Sequence, residues 1–195
     1  MNTDKHKGLS MHQLPPELTQ IIIDTDVIQK RVHDLAAQIS KDYADVDQLH
    51  VVGILKGAFI FMADLCRQLT IPHLVDFMAL SSYGKRASST GAVRIVMDLR
   101  ENIETKDVLI VEDILDTGQT LNYLMQTLSS RKPASLRTCV FLRKRPYKSP
   151  MSLDYLGFEI PDVWVVGYGL DYAEIYRTLP YVAELNKKAI DAKGG

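Results

Sequence analysis

One segment combines several residue types that bind phosphates and metal ions. In the stretch VLIVEDILDTGQT, from Val108 to Thr120, a hydrophobic run ends in two adjacent carboxylates and is followed by an Asp-Thr-Gly turn. A helix is predicted to start at Thr117, so its free backbone N–H groups and the positive end of its dipole would face an anion. Gly118 would allow close approach of the backbone, and the threonine hydroxyls would add donors. The segment therefore predicts a site for a phosphate monoester.

Two adjacent carboxylates, Glu112 and Asp113, lie next to the predicted phosphate site. Consecutive side chains of a strand point to opposite faces, so both cannot bind one ion from within a strand without a local bend. One of them is expected to engage a metal ion or sugar hydroxyls through water. Such a site would lie at the carboxyl end of a strand, where open α/β sheets bind ligands.

Two other interpretations fit parts of this segment, and a third does not. Asp116 or Thr117 alone can be an ordinary helix N-cap. The run VLIVED is similar to the phosphoacceptor strand of a response-regulator receiver, another doubly wound fold, but the turn after it and the aromatic C-terminal region argue against that class. A Walker A nucleotide site is unsupported, because the pattern GxxxxGK[ST] does not occur in the sequence.

Hydrophobic patterning predicts alternating strands and helices around this segment. The first element is an amphipathic helix from Asp26 to about Ala44, with Thr25 as its N-cap. The later elements are strands at Leu49–Leu55, Leu74–Leu80, Val93–Met97, Val108–Glu112, Leu136–Leu142 and Trp164–Val166, and helices at Ala58–Leu69 and Thr117–Ser129. Strands interleaved with helices favour an α/β fold around a parallel sheet.

Composition narrows the class of protein. With 195 residues, 46% of them hydrophobic, the chain can bury one sizeable core, and a net charge of -1 gives no global field for nucleic acid or membrane surfaces. The polar start lacks a signal peptide's apolar core and no stretch approaches about 18 apolar residues, so a cytoplasmic location is expected. Cys66 and Cys139 lie in apolar segments and are interpreted as core residues.

The segment from Ser81 to Ala92, SSYGKRASSTGA, has almost no apolar anchor. Its Ser and Gly content predicts a mobile loop. If the loop is functional, Ser82 and Tyr83 at its start are the candidate residues of a lid that excludes water from a reacting centre.

Glu112 to Thr120 resembles the phosphoribosyl pyrophosphate motif of type I phosphoribosyltransferases. The resemblance extends to the hypoxanthine-guanine phosphoribosyltransferases and covers about Leu49 to Leu185, through ILKGA, SSYG, LRKRP and GFEIPDVWVVGYGLDY. It implies one domain over residues 1–195, with a mainly parallel twisted sheet flanked by helices as its core, at about 26–145. A small hood would come from about 1–25 and 146–195.

The resemblance also implies a role for each matching residue. The 5′-phosphate would be bound by Asp116, Thr117, Gly118, Gln119 and Thr120, and the pyrophosphate by Leu55, Lys56, Gly57 and Arg177. Glu112 and Asp113 would face the ribose and, with Asp171, Mg²⁺. The purine would meet Ile114, Lys144, Trp164, Val165 and Asp171, and Asp116 would act as the catalytic base beside N7. Without the resemblance, Lys56 is an ordinary loop cation, Lys144 a solvated charge and Trp164 a core residue.

The implied activity is transfer of the 5-phosphoribosyl group from phosphoribosyl pyrophosphate to N9 of hypoxanthine or guanine, giving IMP or GMP and pyrophosphate. The expected partners are these small molecules and further copies of the chain, in a homodimer or homotetramer, without nucleic acid or membrane. Two alternatives stay open: a transferase for another base, such as xanthine or a pyrimidine, and a regulatory relative that senses phosphoribosyl pyrophosphate and binds nucleic acid. The second requires a basic face, which the near-neutral chain does little to support.

Overall fold

The computed structural model describes residues 14–82, 93–146 and 151–186. Over these ranges strands and helices alternate along most of the chain. In chain order the elements are β1 (Leu18–Ile23), α1 (Thr25–Asp42), β2 (Leu49–Leu55), α2 (Phe59–Gln68), β3 (His73–Ser82), β4 (Val93–Met97), β5 (Asp107–Leu115), α3 (Gln119–Ser129), β6 (Ser135–Arg145), β7 (Tyr155–Pro161), β8 (Val165–Val166) and β9 (Val182–Leu185).

Six strands form the larger sheet, in the order β4-β3-β2-β5-β6-β7. Neighbouring strands are parallel except for β4, which pairs antiparallel with β3 at one edge. In the centre of the sheet Val51 of β2 is opposite Leu109 of β5. The predicted α/β fold with a mainly parallel sheet is confirmed.

The central strands are apolar along their length because helices cover both faces of the sheet. In β5, Leu109 and Val111 belong to the core cluster that also contains Leu35 of α1 and Phe61 of α2. The alternate residues of β5, including Ile110, belong to a second cluster that includes the buried side of α3. Burial of both faces explains why such strands appear in sequence as continuous hydrophobic runs.

A smaller sheet of three strands, β1-β9-β8, forms from the two ends of the described chain. Leu18 of β1 is opposite Leu185 of β9, and Val166 of β8 is opposite Ala183. Strand β7, in contrast, pairs with β6 in the larger sheet. The larger sheet therefore continues to Pro161, past the predicted core limit at about residue 145.

Several element boundaries differ from the predictions. Thr25 is the first helical residue of α1, and the extended Asp24 precedes it as the N-cap. Helix α3 begins at Gln119 instead of Thr117, because Gly118 takes a left-handed conformation with φ 78°. Strand β5 runs to Leu115, so it includes both adjacent carboxylates. Of the predicted strand at Trp164–Val166, the structure retains Val165–Val166.

The sequence patterns missed strands β1, β7 and β9. Two of them are six residues or fewer, and β7 contains Gly157 and ends at Pro161, residue types that are depleted in strands. Gly157 packs so closely on β6 that an added Cβ would overlap the carbonyl oxygen of Phe141. Cys139 is buried, and the partly buried Cys66 packs against the same core cluster. In the described ranges, each helix is too short or too polar to span a bilayer.

Candidate active site

Two adjoining cavities lie at the carboxyl ends of the neighbouring parallel strands β2 and β5. The larger has a volume of about 390 Å³ and is lined by Ile54, Leu55, Lys56, Gly57, Leu80, Glu112, Asp113, Thr120, Asp171, Glu174 and Arg177. The smaller, of about 230 Å³, is lined by the residues from Glu112 to Leu121. Glu112, Asp113 and Thr120 line both. The fold thus brings the predicted phosphate, metal and pyrophosphate residues into one cleft.

The loop from Asp116 to Thr120 connects β5 to α3 and forms the wall of the smaller cavity. Gly118 is buried at its centre, and the carbonyl of Gly118 accepts the first helical hydrogen bond, from Asn122 N–H at 2.9 Å. Thr117 and Gln119 are exposed on either side. Because the first N–H groups of a helix have no partner within it, this loop presents donors to an anion.

Glu112 and Asp113 are adjacent residues of β5 and both are partly buried. Asp113 Oδ1 also accepts the N–H of Ile114 at 2.8 Å. Burial and the neighbouring negative charge of Asp113 raise the pKa of Glu112 well above its usual value, and burial raises the pKa of Asp113. The pair is therefore costly to keep doubly charged without a cation or donors from a ligand.

The donors available for a metal ion are carboxylate oxygens. Glu112 Oε2 is buried without a hydrogen-bond partner among the described residues, and Asp113 and Asp171 line the same cavity. In the described part of the chain, however, no three acidic, His or Cys side chains come close enough to hold an ion by themselves. Mg²⁺ suits such a site, because it keeps several waters and takes one or two carboxylates together with substrate oxygens.

The loop from Leu55 to Gly57 joins β2 to α2 and carries an exposed lysine into the larger cavity. The Leu55–Lys56 peptide bond is cis. Lys56 Nζ lies 3.0 Å from Glu174 Oε2. Gly57 lies against the carboxylate of Asp113 so closely that an added Cβ would overlap it. A side chain at position 57 would therefore have to displace the carboxylate of Asp113.

Arg177 is the second cation of the larger cavity. Its side chain is 17% exposed and is held by Gly169, whose carbonyl oxygen accepts Nη1–H at 2.9 Å. Its Nη2 atom lies 2.8 Å from Asp171 Oδ1 and 3.3 Å from Glu174 Oε2. The backbone of Gly169, with φ 104°, also contacts the carbonyl oxygen of Gly57 closely enough to exclude a Cβ.

Of the predicted purine residues, Lys144 and Trp164 lie together near the end of β6. Trp164 is 58% exposed, which rules out the alternative that it is a core residue. Lys144 is only 13% exposed, so it is not a freely solvated charge; its Nζ lies 5.7 Å from the centre of the Trp164 ring and 3.5 Å from Asp162 Oδ1. Val165 is buried in β8, and Ile114 is partly buried against the main core.

Two predicted lid residues and two residues that the sequence analysis missed remain to be located. Ser82 ends β3, and Tyr83 with the rest of the predicted lid, to residue 92, lies outside the described residues. Glu174 and Asp162 were not predicted, although each contacts a predicted cation. The available signal was their position, since Glu174 lies between Asp171 and Arg177 in DYAEIYR and Asp162 lies two residues before Trp164.

Comparisons with known proteins agree with this geometry. Residues 21–173 match the phosphoribosyl transferase domain family. The chain is 50% identical to the hypoxanthine-guanine phosphoribosyltransferase of Dictyostelium discoideum, over 87% of this chain and 96% of that protein. It is 46% identical to the hypoxanthine phosphoribosyltransferase of Salmonella typhimurium, over 85% and 94%.

Solved structures give the same result. The hypoxanthine phosphoribosyltransferase of Staphylococcus aureus superposes with a TM-score of 0.83 at 44% identity, over 89% of this chain and 94% of that one. A mutant of the Trypanosoma cruzi enzyme in a ternary substrates complex superposes with a TM-score of 0.84 at 40% identity, over 90% and 100%. The chain therefore belongs to the phosphoribosyltransferase family and, within it, to the hypoxanthine-guanine phosphoribosyltransferases.

Proposed function

We propose that this chain is a purine salvage enzyme that transfers the 5-phosphoribosyl group of phosphoribosyl pyrophosphate to N9 of hypoxanthine or guanine, releasing pyrophosphate with IMP or GMP. The observation that carries the proposal is the shared cleft, in which the 116–120 loop, the Glu112–Asp113 pair and the cations Lys56 and Arg177 meet. These groups match, in order, a 5′-phosphate, ribose hydroxyls and a diphosphate.

Charge complementarity supports this order. When the bond between the anomeric carbon and the diphosphate breaks, positive charge develops on the ribose and negative charge on the leaving group. Lys56 and Arg177 would stabilise the leaving diphosphate, while Glu112 and Asp113 would stabilise the cationic ribose. The elevated pKa of Glu112, caused by burial and by Asp113, favours a ligand that brings positive charge or hydroxyl donors to the pair.

The carboxylates also fit Mg²⁺. Glu112, Asp113 and Asp171 would hold it through water and through oxygens of the substrate, and the buried Oε2 of Glu112 is a suitable hard oxygen. Bound Mg²⁺ would supply positive charge for the leaving diphosphate. The protein's own part is to hold these oxygens and the two cations in one cavity.

Asp116 is the proposed general base. It is partly buried at the start of the 116–120 loop, in the same cavity as the carboxylate pair. From there it would accept or share the proton that the purine loses as N9 attacks the ribose. General-base assistance of this kind typically contributes about 10² to 10⁴ in rate.

The purine would be recognised by Lys144 and Trp164. The ammonium group of Lys144 would donate to the exocyclic oxygen at C6, and the exposed indole would stack on the ring. Ile114 would cover the opposite face, and backbone groups of Val165 and Asp171 would bind the edge. A cation next to a stacking surface favours a 6-oxopurine over adenine, which has an amino group at that position.

We further propose that the protein acts in the cytoplasm as a homodimer or homotetramer. The near-neutral charge favours small-molecule partners over nucleic acid. Sedimentation analysis of the purified protein would test the assembly.

A side-by-side assay of hypoxanthine, guanine, xanthine, adenine and uracil with phosphoribosyl pyrophosphate and Mg²⁺ would test the activity. We expect turnover with hypoxanthine or guanine and little with adenine or uracil. Turnover with uracil alone, or with none of the bases, would contradict the proposal. The same assay without Mg²⁺ should lose most of the rate.

A further inference from the structure

Glu174 lies between the two cations of the larger cavity. Its Oε2 atom is 3.0 Å from Lys56 Nζ and 3.3 Å from Arg177 Nη2, so one oxygen serves both positive groups. Glu174 also lines the cavity itself. A carboxylate of the protein thus occupies a position that is suited to an oxygen of an anionic ligand.

The backbone fixes this position of the carboxylate. Glu174 has φ 65°, a conformation that is uncommon for residues other than glycine. Its N–H donates to Asp171 Oδ2 at 2.8 Å, and a bridge between Tyr172 and Ile175 closes the turn around it. The turn therefore directs Glu174 towards the cations in a defined way, unlike a surface side chain on a regular helix.

The two cations depend on Glu174 to different degrees. Arg177 is 17% exposed and, besides its contact with Glu174, is bonded to the Gly169 carbonyl and to Asp171. Lys56 and Glu174 are each 66% exposed, so their ion pair is in contact with water. Exposed ion pairs are weak and exchange readily, so Glu174 is easily displaced from the cations.

The charge of Glu174 is well defined. The hydrogen bonds from Lys56 and then from Arg177 hold its pKa below the usual value, so it is a carboxylate at neutral pH. A diphosphate carries more negative charge than one carboxylate and several acceptor oxygens. It would therefore replace Glu174 at the two cations.

We propose that Glu174 is an internal counterion that Lys56 and Arg177 share, and that it leaves both cations when a diphosphate binds. This positioning residue would weaken the binding of pyrophosphate and so favour its release. The inference rests on the proposed function, because it requires that these cations bind pyrophosphate.

Binding of inorganic pyrophosphate, measured by isothermal titration calorimetry at fixed Mg²⁺, would test this role. For Glu174→Gln, which keeps the size of the side chain but removes its charge, we expect a Kd about 3- to 10-fold lower than that of the wild type, as befits one or two exposed ion pairs. Glu104→Gln is the matched control. Glu104 is an exposed residue just before β5, at the opposite end of the strand from the cleft, and its variant should bind like the wild type.

A conservative variant separates charge from shape. Glu174→Asp keeps the charge on a shorter side chain, so its Kd should change less than that of Glu174→Gln. Equal tightening in both variants would overturn the counterion role, as would an unchanged or weaker affinity for Glu174→Gln. If the wild type and Glu104→Gln bind no pyrophosphate at all, the proposed function fails as well.

Steady-state kinetics give an independent readout. The inhibition constant for pyrophosphate should fall by the same factor in Glu174→Gln, while the KM for the purine base should stay unchanged. A rise in the KM for the base with no change in pyrophosphate inhibition is the signature of a structural disturbance of the 171–177 segment and would also overturn the proposal.

Discussion

Single side chains in the cleft differ in how their charge is compensated. Arg177 and Lys56 have carboxylate partners within 3.3 Å, whereas burial raises the pKa values of the adjacent carboxyl groups of Glu112 and Asp113. A ligand with a cationic centre would stabilise the charged form of these two carboxyl groups.

Asp116→Asn should reduce kcat by about 10² to 10⁴ while binding of phosphoribosyl pyrophosphate is retained, because the amide cannot accept the purine proton. Stopped-flow turnover and equilibrium binding of phosphoribosyl pyrophosphate would measure the two effects separately. Turnover equal to that of the wild type would remove Asp116 from the mechanism.

Trp164→Ala should raise the KM for the purine base about 5-fold or more, since base–aromatic stacking contributes about 1–3 kcal/mol. Trp164→Phe keeps an aromatic face and should stay close to the wild type, and neither variant should change the affinity for phosphoribosyl pyrophosphate. Because Trp164 is the single tryptophan of the chain, its fluorescence reports base binding directly. Equal KM values for the Ala and Phe variants would exclude stacking.

At the scale of elements, the junction of β5 and α3 determines the site. The strand carries the two carboxylates, and the left-handed Gly118 separates the strand from the helix, so the 116–120 loop can face the smaller cavity. A second loop between a strand and a helix, the 55–57 loop between β2 and α2, carries Lys56. Both loops lie at the same end of neighbouring parallel strands.

Gly118→Ala should lower the free energy of unfolding by about 1 kcal/mol and raise the KM for phosphoribosyl pyrophosphate, because a Cβ is disfavoured at φ 78°. Gly118→Asn is the matched variant, since asparagine adopts the left-handed conformation more readily than alanine. Its free energy of unfolding should fall less, and its KM for phosphoribosyl pyrophosphate should rise less, than those of Gly118→Ala. Urea unfolding and initial-rate kinetics would measure the effects. An Ala variant that matches the wild type in both would show that this conformation is not required.

The sequence predicted some elements to the residue and missed others. The bounds of β2 and β4 match the predictions, since β2 is a nearly continuous apolar run and turn residues flank both strands. The start of α3 was wrong because a backbone conformation at Gly118 decides it, and composition does not reveal which glycine has positive φ. Glu174 was missed because its contacts with Lys56 join residues more than 100 positions apart.

The whole molecule combines a six-stranded sheet, which carries the phosphate, ribose and pyrophosphate candidates, with a small sheet built from both ends of the described chain. Residues 167–181, between β8 and β9 of the small sheet, supply Asp171, Glu174 and Arg177. The cleft is thus complete only when both sheets are formed. Global stability and activity should therefore be lost together.

One pH dependence of stability belongs to the whole fold. His50 is buried in β2, and burial, with a smaller contribution from Lys106, lowers its pKa. As the pH falls, the unfolded chain takes up this proton first, near its usual pKa of about 6.5, so the free energy of unfolding decreases below that pH. Above that pH, His50 is neutral in both the folded and the unfolded chain, so it does not change the free energy of unfolding as the pH varies.

His50→Gln should therefore reduce the loss of stability between about pH 7.5 and pH 5.5. Urea unfolding across this range would measure the slope, which does not depend on how much the substitution destabilises the protein at neutral pH. His33→Gln, at an exposed position of α1, serves as the control for removing a histidine. Identical slopes for the wild type and the His50 variant would contradict the assignment.

The direct backbone contact between Gly57 and Gly169 has a thermodynamic consequence. Because no side chain lies between the two segments, a displacement of the 55–57 loop must be accommodated by the chain that continues from Val165 and Trp164 to Arg177. The occupants of these two regions are then energetically linked, and linkage is reciprocal. We therefore expect a bound purine to change the affinity for pyrophosphate by the same factor by which bound pyrophosphate changes the affinity for the purine.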